Sequence, residues 1–437
     1  MANPDLDLAT FSRRSLLRGS ALLGAGAMAA GVPLGRTAFA QAATSPWTNV
    51  RALEDKYVAS GKLANMVAAL GWGQQAPQII AQGNLAFGSE TRADADSLYR
   101  IYSMTKPITG MAAMMLIDEG KMGLDQPLAE ILPAYKNMRV QRTYDGSLQD
   151  LVPAERPITL RMLLTHTAGL GYGIVQSGPI SRYYAQEGLI PGQVSRLPIP
   201  GLGRGTAIRG LDKFADALAL APLVLQPGTK WSYSVGLDLM GRVIEVVSGK
   251  RFDAFLQERL FDPIGMTSTY FRVPQSQIGR LTTNYGVMGG TSIPIDPARA
   301  SIYLDAPSFP FGGAGLVSSA ADYDRFLRMV LGYGAIDGKR IMSEAAVRLG
   351  TSNLLPEGAT TAGTMVAGDG FGAGGRVSDG SYGWGGAAGT VGLVNFTAGL
   401  RATMMTQYMP SDVYPIHQAF PAALVADLAA MQTREAA

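Results

Sequence analysis

The sequence predicts an α/β protein of the α+β kind, with an antiparallel sheet flanked by helices beside a second, largely helical part. Strand-like runs lie at residues 66–72 and 78–81 and again at 391–396 and 400–407, with helical periodicity between them. Strands near both chain ends imply a sheet closed by the two termini. The 437 residues are 47% hydrophobic and show no internal repeat, which is enough apolar material for a large core. The sheet part is expected over about residues 46–100 and 300–432, and the helical part over about 101–299.

The first 40 residues read as a twin-arginine export signal. Ser12-Arg13-Arg14-Ser15-Leu16-Leu17 carries the arginine pair, residues 19–34 are rich in Gly, Ala and Leu, and Ala38-Phe39-Ala40 fits small-x-small cleavage. Gln41 would then be the new N-terminus, and the expected location is periplasmic or secreted. The export machinery would be a partner during translocation. The apolar run is short and glycine-rich, so no stable membrane anchor is expected. Net charge is +3 for the whole chain, and removing the signal's four arginines and two aspartates leaves it nearly neutral. That is no footprint for nucleic acid. There are no cysteines, which excludes disulfides, thiol nucleophiles and thiolate metal sites. The two histidines, His166 and His417, cannot build a multi-histidine metal site. Gly-x-Ser-x-Gly, the nucleophile elbow of α/β-hydrolases, is absent.

In chain order, residues 48–60 read as a helix with Val50, Leu53, Tyr57 and Val58 as its apolar stripe. The two N-terminal strands follow, joined at Gln74-Gln75-Ala76-Pro77. Next come Ser103-Met104-Thr105-Lys106-Pro107 and an apolar pattern at Ile108, Met111, Ala112, Met115 and Leu116 that stops at Gly120. This places a Ser-x-x-Lys motif in a helix's first turn, where Pro107 is tolerated. Residues three apart share a helix face, so the Lys106 amine reaches the Ser103 hydroxyl. A helix start disfavours an ammonium, and an amine held neutral there accepts a serine proton. A capping box would instead place Glu or Gln at position 106.

A short helix stops at Pro133, and residues 136–157 read as surface loop. Residues 160–170 read as a helix with a glycine C-cap at Gly169, placing His166 in its last turn in a structural role. Residues 171–210 form a glycine- and proline-rich insert, the kind of segment that lines sites, with Arg182, Tyr183 and Tyr184 inside it. Helices are expected over 236–247 and 252–260, with loop over 282–312. Residues 312–319 form a tight turn with an N-cap onto a helix at 320–331. A last helix is expected around 419–431.

Ser103-Met104-Thr105-Lys106, Tyr233-Ser234-Val235 and Trp384-Gly385-Gly386 stand in the order of the three motifs of serine β-lactamases and penicillin-binding proteins. Across the chain the sequence resembles class C β-lactamase-like serine hydrolases, closest to the family VIII carboxylesterases. Residues 163–170 and 312–318 share that resemblance. It implies the β-lactamase/transpeptidase fold, Ser103 as acylated nucleophile, and Lys106 as its partner in proton transfer. Tyr233 would move the proton, as phenolate or hydrogen-bond relay, between Ser103 and the leaving group. The backbone N–H groups of Ser103 and Ala387 would form the oxyanion hole. Gly385 and Gly386 would let an edge strand approach the substrate, and Trp384, Val235, Tyr102 and Tyr183 would contact it. No cofactor or metal is required by such chemistry.

Two departures from the β-lactamase pattern bear on substrate. Val235 stands where those enzymes have asparagine, and Trp384 stands where they have the lysine of Lys-Thr-Gly. Both changes point from carboxylated β-lactams towards small neutral esters. The expected activity is ester hydrolysis through an acyl-enzyme. A β-lactamase or D,D-peptidase, an amidase or acyltransferase on the same machinery, and a non-catalytic binder of acyl or cell-wall ligands are the alternatives.

Overall fold

The computed structural model describes residues 46–197 and 206–436. The expected export signal and its cleavage point lie outside the described residues. Five helices frame the molecule: α1 (Thr48–Ala59), α2 (Thr105–Asp118), α3 (Gly236–Ser248), α4 (Ala320–Leu331) and α5 (Ile416–Ala436). The main sheet contains β1 (Asn65–Trp72), β2 (Gln78–Gly83), β3 (Gly370–Phe371), β4 (Arg376–Ser378), β5 (Ser381–Gly385), β6 (Val391–Asn395) and β7 (Leu400–Met405). Its order is β3-β4-β5-β6-β7-β1-β2, antiparallel throughout.

Period-two alternation divides the buried residues of β1 between two cores. Met66, Ala68 and Leu70 pack with Val50 of α1 and with Ile416, Phe420 and Leu424 of α5. Val67 and Ala69 face the larger core, which includes Tyr323 and Phe326 of α4. A sheet covered on both faces reads as near-continuous apolar runs, as β1 does. The termini meet directly. Asp427 of α5 accepts hydrogen bonds from the backbone N–H groups of Asn49 (2.8 Å) and Val50 (3.0 Å). No side chain of α1's own N-cap does this, so the carboxylate of α5 takes over the free donors at the positive end of α1.

Several irregular stretches hold more structure than the sequence reading assigned. The expected helix over 160–170 is only Leu160–Leu164, because His166 (φ 56°) and Gly169 (φ 78°) take left-handed conformations that turn the chain away. The 136–157 loop contains the paired strands Arg139–Gln141 and Leu151–Pro153. The insert contains the helix Pro179–Gln186. The 282–312 stretch contains a hairpin, Asn284–Met288 with Thr291–Asp296. Its turn residues Gly289 and Gly290 both have positive φ, the requirement of a two-residue hairpin turn. The part between 101 and 299 is therefore helical with strand pairs added. Among the described residues no helix is long and apolar enough to cross a membrane.

Glu54 of α1 is fully buried, and no ion pair among the described residues reaches it. Burial pushes its carboxyl up to about 9 from 4.5, so the folded protein keeps a proton that the unfolded chain loses. Stability should therefore fall as pH rises across that window, by up to about 1.4 kcal/mol per pH unit. We expect Glu54→Gln to remove this slope. Between pH 5 and pH 8 the wild type should lose roughly 3–4 kcal/mol relative to the variant in denaturant unfolding. Parallel curves for the two proteins would show that Glu54 ionises normally in the fold.

Candidate active site

The three motif side chains converge. Ser103 lies in the 3-10 turn Tyr102–Met104, which runs directly into α2. Its Oγ is 2.7 Å from Tyr233 Oη and accepts a hydrogen bond from Lys106 Nζ at 3.2 Å. Lys106 Nζ also donates to the Gly313 carbonyl at 2.8 Å and lies 4.5 Å from the centre of the Tyr233 ring. Ser103, Lys106 and Tyr233 are all buried. Tyr102, the residue before the nucleophile position, has φ 41°, unusual for a bulky side chain and typical of a constrained turn.

The glycine turn onto α4 does more than start that helix. Ser319 caps α4 as expected, accepting from Asp322 N–H at 3.1 Å. The turn's carbonyls also hold α2, since Thr109 Oγ1 donates to Gly312 O at 2.7 Å. Gly313 N–H in turn donates to Asp238 Oδ1 at 2.9 Å. Asp238 thus fixes the residue whose carbonyl orients Lys106. Burial pushes the Asp238 carboxyl up to about 7, against the opposing pull of Lys106. The sequence reading missed Asp238. Its signal was an acid in the first turn of α3 on an otherwise apolar stretch.

His166 has the structural role expected of it, by a different geometry. It lies beyond its helix, fully enclosed, where its carbonyl accepts from Ser232 N–H at 2.9 Å. Its Nδ1 accepts from Ser234 N–H at 3.2 Å and lies 2.9 Å from Ser234 Oγ, which accepts from Gly236 N–H. Nδ1 is therefore an acceptor, and the imidazole is neutral with its proton on Nε2. Burial first, and Lys106 second, hold the imidazole well below its ordinary value. One histidine thereby grips the residues on both sides of Tyr233. The Tyr233 ring lies 4.8 Å from His166 and is stacked on Trp231 at 5.9 Å. His417 is also buried, pushed down to about 4 by burial, with Nε2 3.1 Å from the Thr390 carbonyl.

The third motif sits differently from expectation. Trp384 is fully buried, and its indole N–H donates to Tyr233 Oη at 3.3 Å. A buried indole needs an acceptor, and Tyr233 Oη is that acceptor. The strand β5 is interior, with partners on both sides up to Gly383; Trp384 and Gly385 pair with β6 alone. The glycines serve chain packing. A Cβ on Gly386 would come within 2.4 Å of the Ile101 carbonyl, and one on Gly385 within 3.2 Å of His417 Nε2. Gly386 thereby allows close approach to the nucleophile turn, and Gly385 to His417. That approach brings Ala387 beside residues 101–103, where Ala387 packs with Tyr102. Within the nucleophile turn the first donated N–H is that of Met104, to Ile101 O, which leaves the Ser103 N–H ahead of it.

The remaining expected contacts are displaced. Val235 is buried at the start of α3, its N–H donating to Gly171 O at 3.3 Å. Tyr102 turns its side chain into a separate apolar cluster, its hydroxyl accepting from Asn284 Nδ2 at 3.2 Å. Tyr183 packs half-buried on the helical core, and Arg182 is exposed. Tyr184 is buried, with its hydroxyl accepting from Gly171 N–H at 3.2 Å. The insert reaches the site through Tyr172 instead, whose ring centre is 5.3 Å from that of Tyr233 and 5.8 Å from Lys106 Nζ. Among the described residues no cluster of three or more His, Asp or Glu is placed to hold a metal ion.

Comparison with known proteins places the chain in a family. The chain is 38% identical over 262 residues to protein Rv1367c of Mycobacterium tuberculosis, covering 60% of this chain and 61% of that protein. It is 32% identical over 285 residues to lovastatin esterase of Penicillium rubens, covering 63% and 65% respectively. The match thus spans less than two thirds of each relative. Among solved structures, EstCE1, a hydrolase with promiscuous acyltransferase activity, superposes with a TM-score of 0.68 over 86% of this chain and 98% of that one, at 24% identity. That likeness shows the β-lactamase/transpeptidase-like fold. Residues 50–427 match the family model described as Beta-lactamase, and the chain belongs to that family.

Proposed function

We propose that the protein is a serine hydrolase cleaving small acyl esters through an acyl-enzyme on Ser103. The observation that carries this is the buried contact of Ser103 Oγ with both Tyr233 Oη and Lys106 Nζ. In this reading Ser103 Oγ attacks the ester carbonyl while its proton passes to the Tyr233–Lys106 pair, and the same pair protonates the departing alcohol. The backbone N–H groups of Ser103 and Ala387 receive the oxyanion. Water then attacks the acyl-enzyme, and Ser103 leaves with its proton restored. The names of lovastatin esterase and of esterase EstB of Burkholderia gladioli support an ester substrate. The acyltransferase activity of EstCE1 supports discharge of the acyl group to acceptors other than water, which added alcohols would reveal as a new ester product.

Two features argue against efficient β-lactam turnover. Val235 offers no side-chain amide, and Trp384 turns its one donor to Tyr233. A short-chain 4-nitrophenyl ester should be hydrolysed at least about a hundredfold faster than a chromogenic cephalosporin, a discrimination of roughly 3 kcal/mol. Faster cephalosporin turnover would make the protein a β-lactamase. The Ser12–Leu17 pattern supports twin-arginine export as part of this proposal. Arg13→Lys with Arg14→Lys should hold the protein in the cytoplasm, and unchanged export would remove that part.

A further inference from the structure

The site described above has an apolar cavity beside it. A cavity of about 400 Å³ is lined by Val175, Leu225, Trp231, Tyr233, Met365 and Lys230, among others. Trp231 and Tyr233 belong both to this cavity and to the aromatic group around the nucleophile. Val175 brings in the insert. A concave, mainly apolar space with a few placed polar groups is the ordinary form of a small-molecule site. Lys230 contributes the cavity's one formal charge among the described residues. It is partly exposed and forms no ion pair with a carboxylate among the described residues. Lys230 is three residues from Tyr233, so it stands at most about 10 Å along the chain from it.

We propose that this cavity takes the apolar body of a mono-anionic ester and that Lys230 binds a carboxylate at the end of the substrate remote from the scissile bond. The inference rests on the ester-hydrolase reading and names its substrate class. An ammonium on a mainly apolar wall gains most from a single opposing charge that brings its own apolar chain into the cavity. A neutral ester of the same length leaves that ammonium to solvent. The near-neutral balance of the chain beyond its expected signal supplies no general attraction for anions, so the discrimination is local to Lys230.

The test compares 4-nitrophenyl hydrogen suberate with 4-nitrophenyl octanoate, which share chain length and leaving group. The wild type should favour the anionic ester in kcat/KM by about tenfold, Lys230→Gln should bring the ratio near one, and Lys230→Glu should reverse it. Leu225→Trp, which fills the cavity, should slow both long esters more than it slows 4-nitrophenyl acetate. A ratio that is the same in the wild type and Lys230→Gln would overturn the proposal. Calorimetric binding of monomethyl suberate and dimethyl suberate to Ser103→Ala separates this from the parent reading. If the wild type cleaves no ester but the anionic ligand binds more tightly and loses that advantage in Lys230→Gln, the esterase reading falls and the cavity assignment stands. Equal binding of the two ligands overturns the cavity assignment whatever the catalytic result.

Discussion

Ser103→Ala should abolish ester turnover, lowering kcat by about 10^4-fold or more, with the fold intact. The substitution removes one hydroxyl from a buried turn. Tyr233 Oη keeps the Trp384 indole N–H as a partner, and Lys106 Nζ keeps the Gly313 carbonyl. The buried Tyr233 O–H loses Ser103 Oγ as its acceptor, so stability should fall by about 1–3 kcal/mol. The paired measurements are single-turnover release of 4-nitrophenol and the unfolding midpoint. A mutant that retains the burst of nitrophenol would acquit Ser103 and point to another nucleophile. A mutant that unfolds early would instead show that the hydroxyl holds the turn together.

Tyr233→Phe should lower kcat by about 10²–10⁴-fold, the range of a positioned proton-transfer group. KM should change little, because the ring itself keeps its packing against His166, Trp231 and Tyr172. The structure adds a cost that the sequence did not suggest. Without Oη the buried Trp384 N–H loses its acceptor, which destabilises the fold by about 1–3 kcal/mol. The double variant Tyr233→Phe with Trp384→Phe should recover part of that stability and none of the turnover. Full recovery of turnover would mean that Tyr233 serves Trp384 and not Ser103.

The residues that carry chemistry were legible because their types are rare and their spacing follows from helix geometry. Ser103 and Lys106 share a face whatever the rest of the fold does. The strands at both ends were legible from β-rich apolar runs, α1 from its apolar stripe and α4 from the glycine turn and N-cap ahead of it. Asp238, Tyr172 and the Gly312–Gly313 carbonyls were not, because each matters through a partner distant in sequence. The hydrogen bond from Trp384 to Tyr233 was hidden for the same reason, since a tryptophan in a motif says nothing of which way its N–H points. His166 reads in one dimension as the end of a helix. In three dimensions its left-handed backbone places it around Tyr233.

The join between β1 and β7 has a consequence for how the molecule is made. Val67 pairs with Met405 and Trp72 with Leu400, so one edge of the first strand waits for almost the last one. On the ribosome the β1–β2 hairpin emerges early with that edge bare, and α1 lacks Asp427 at its free end. Neither is satisfied until nearly the whole chain has been synthesised. The N-terminal hairpin is thus an open template through most of translation, and cotranslational chaperoning should concentrate there.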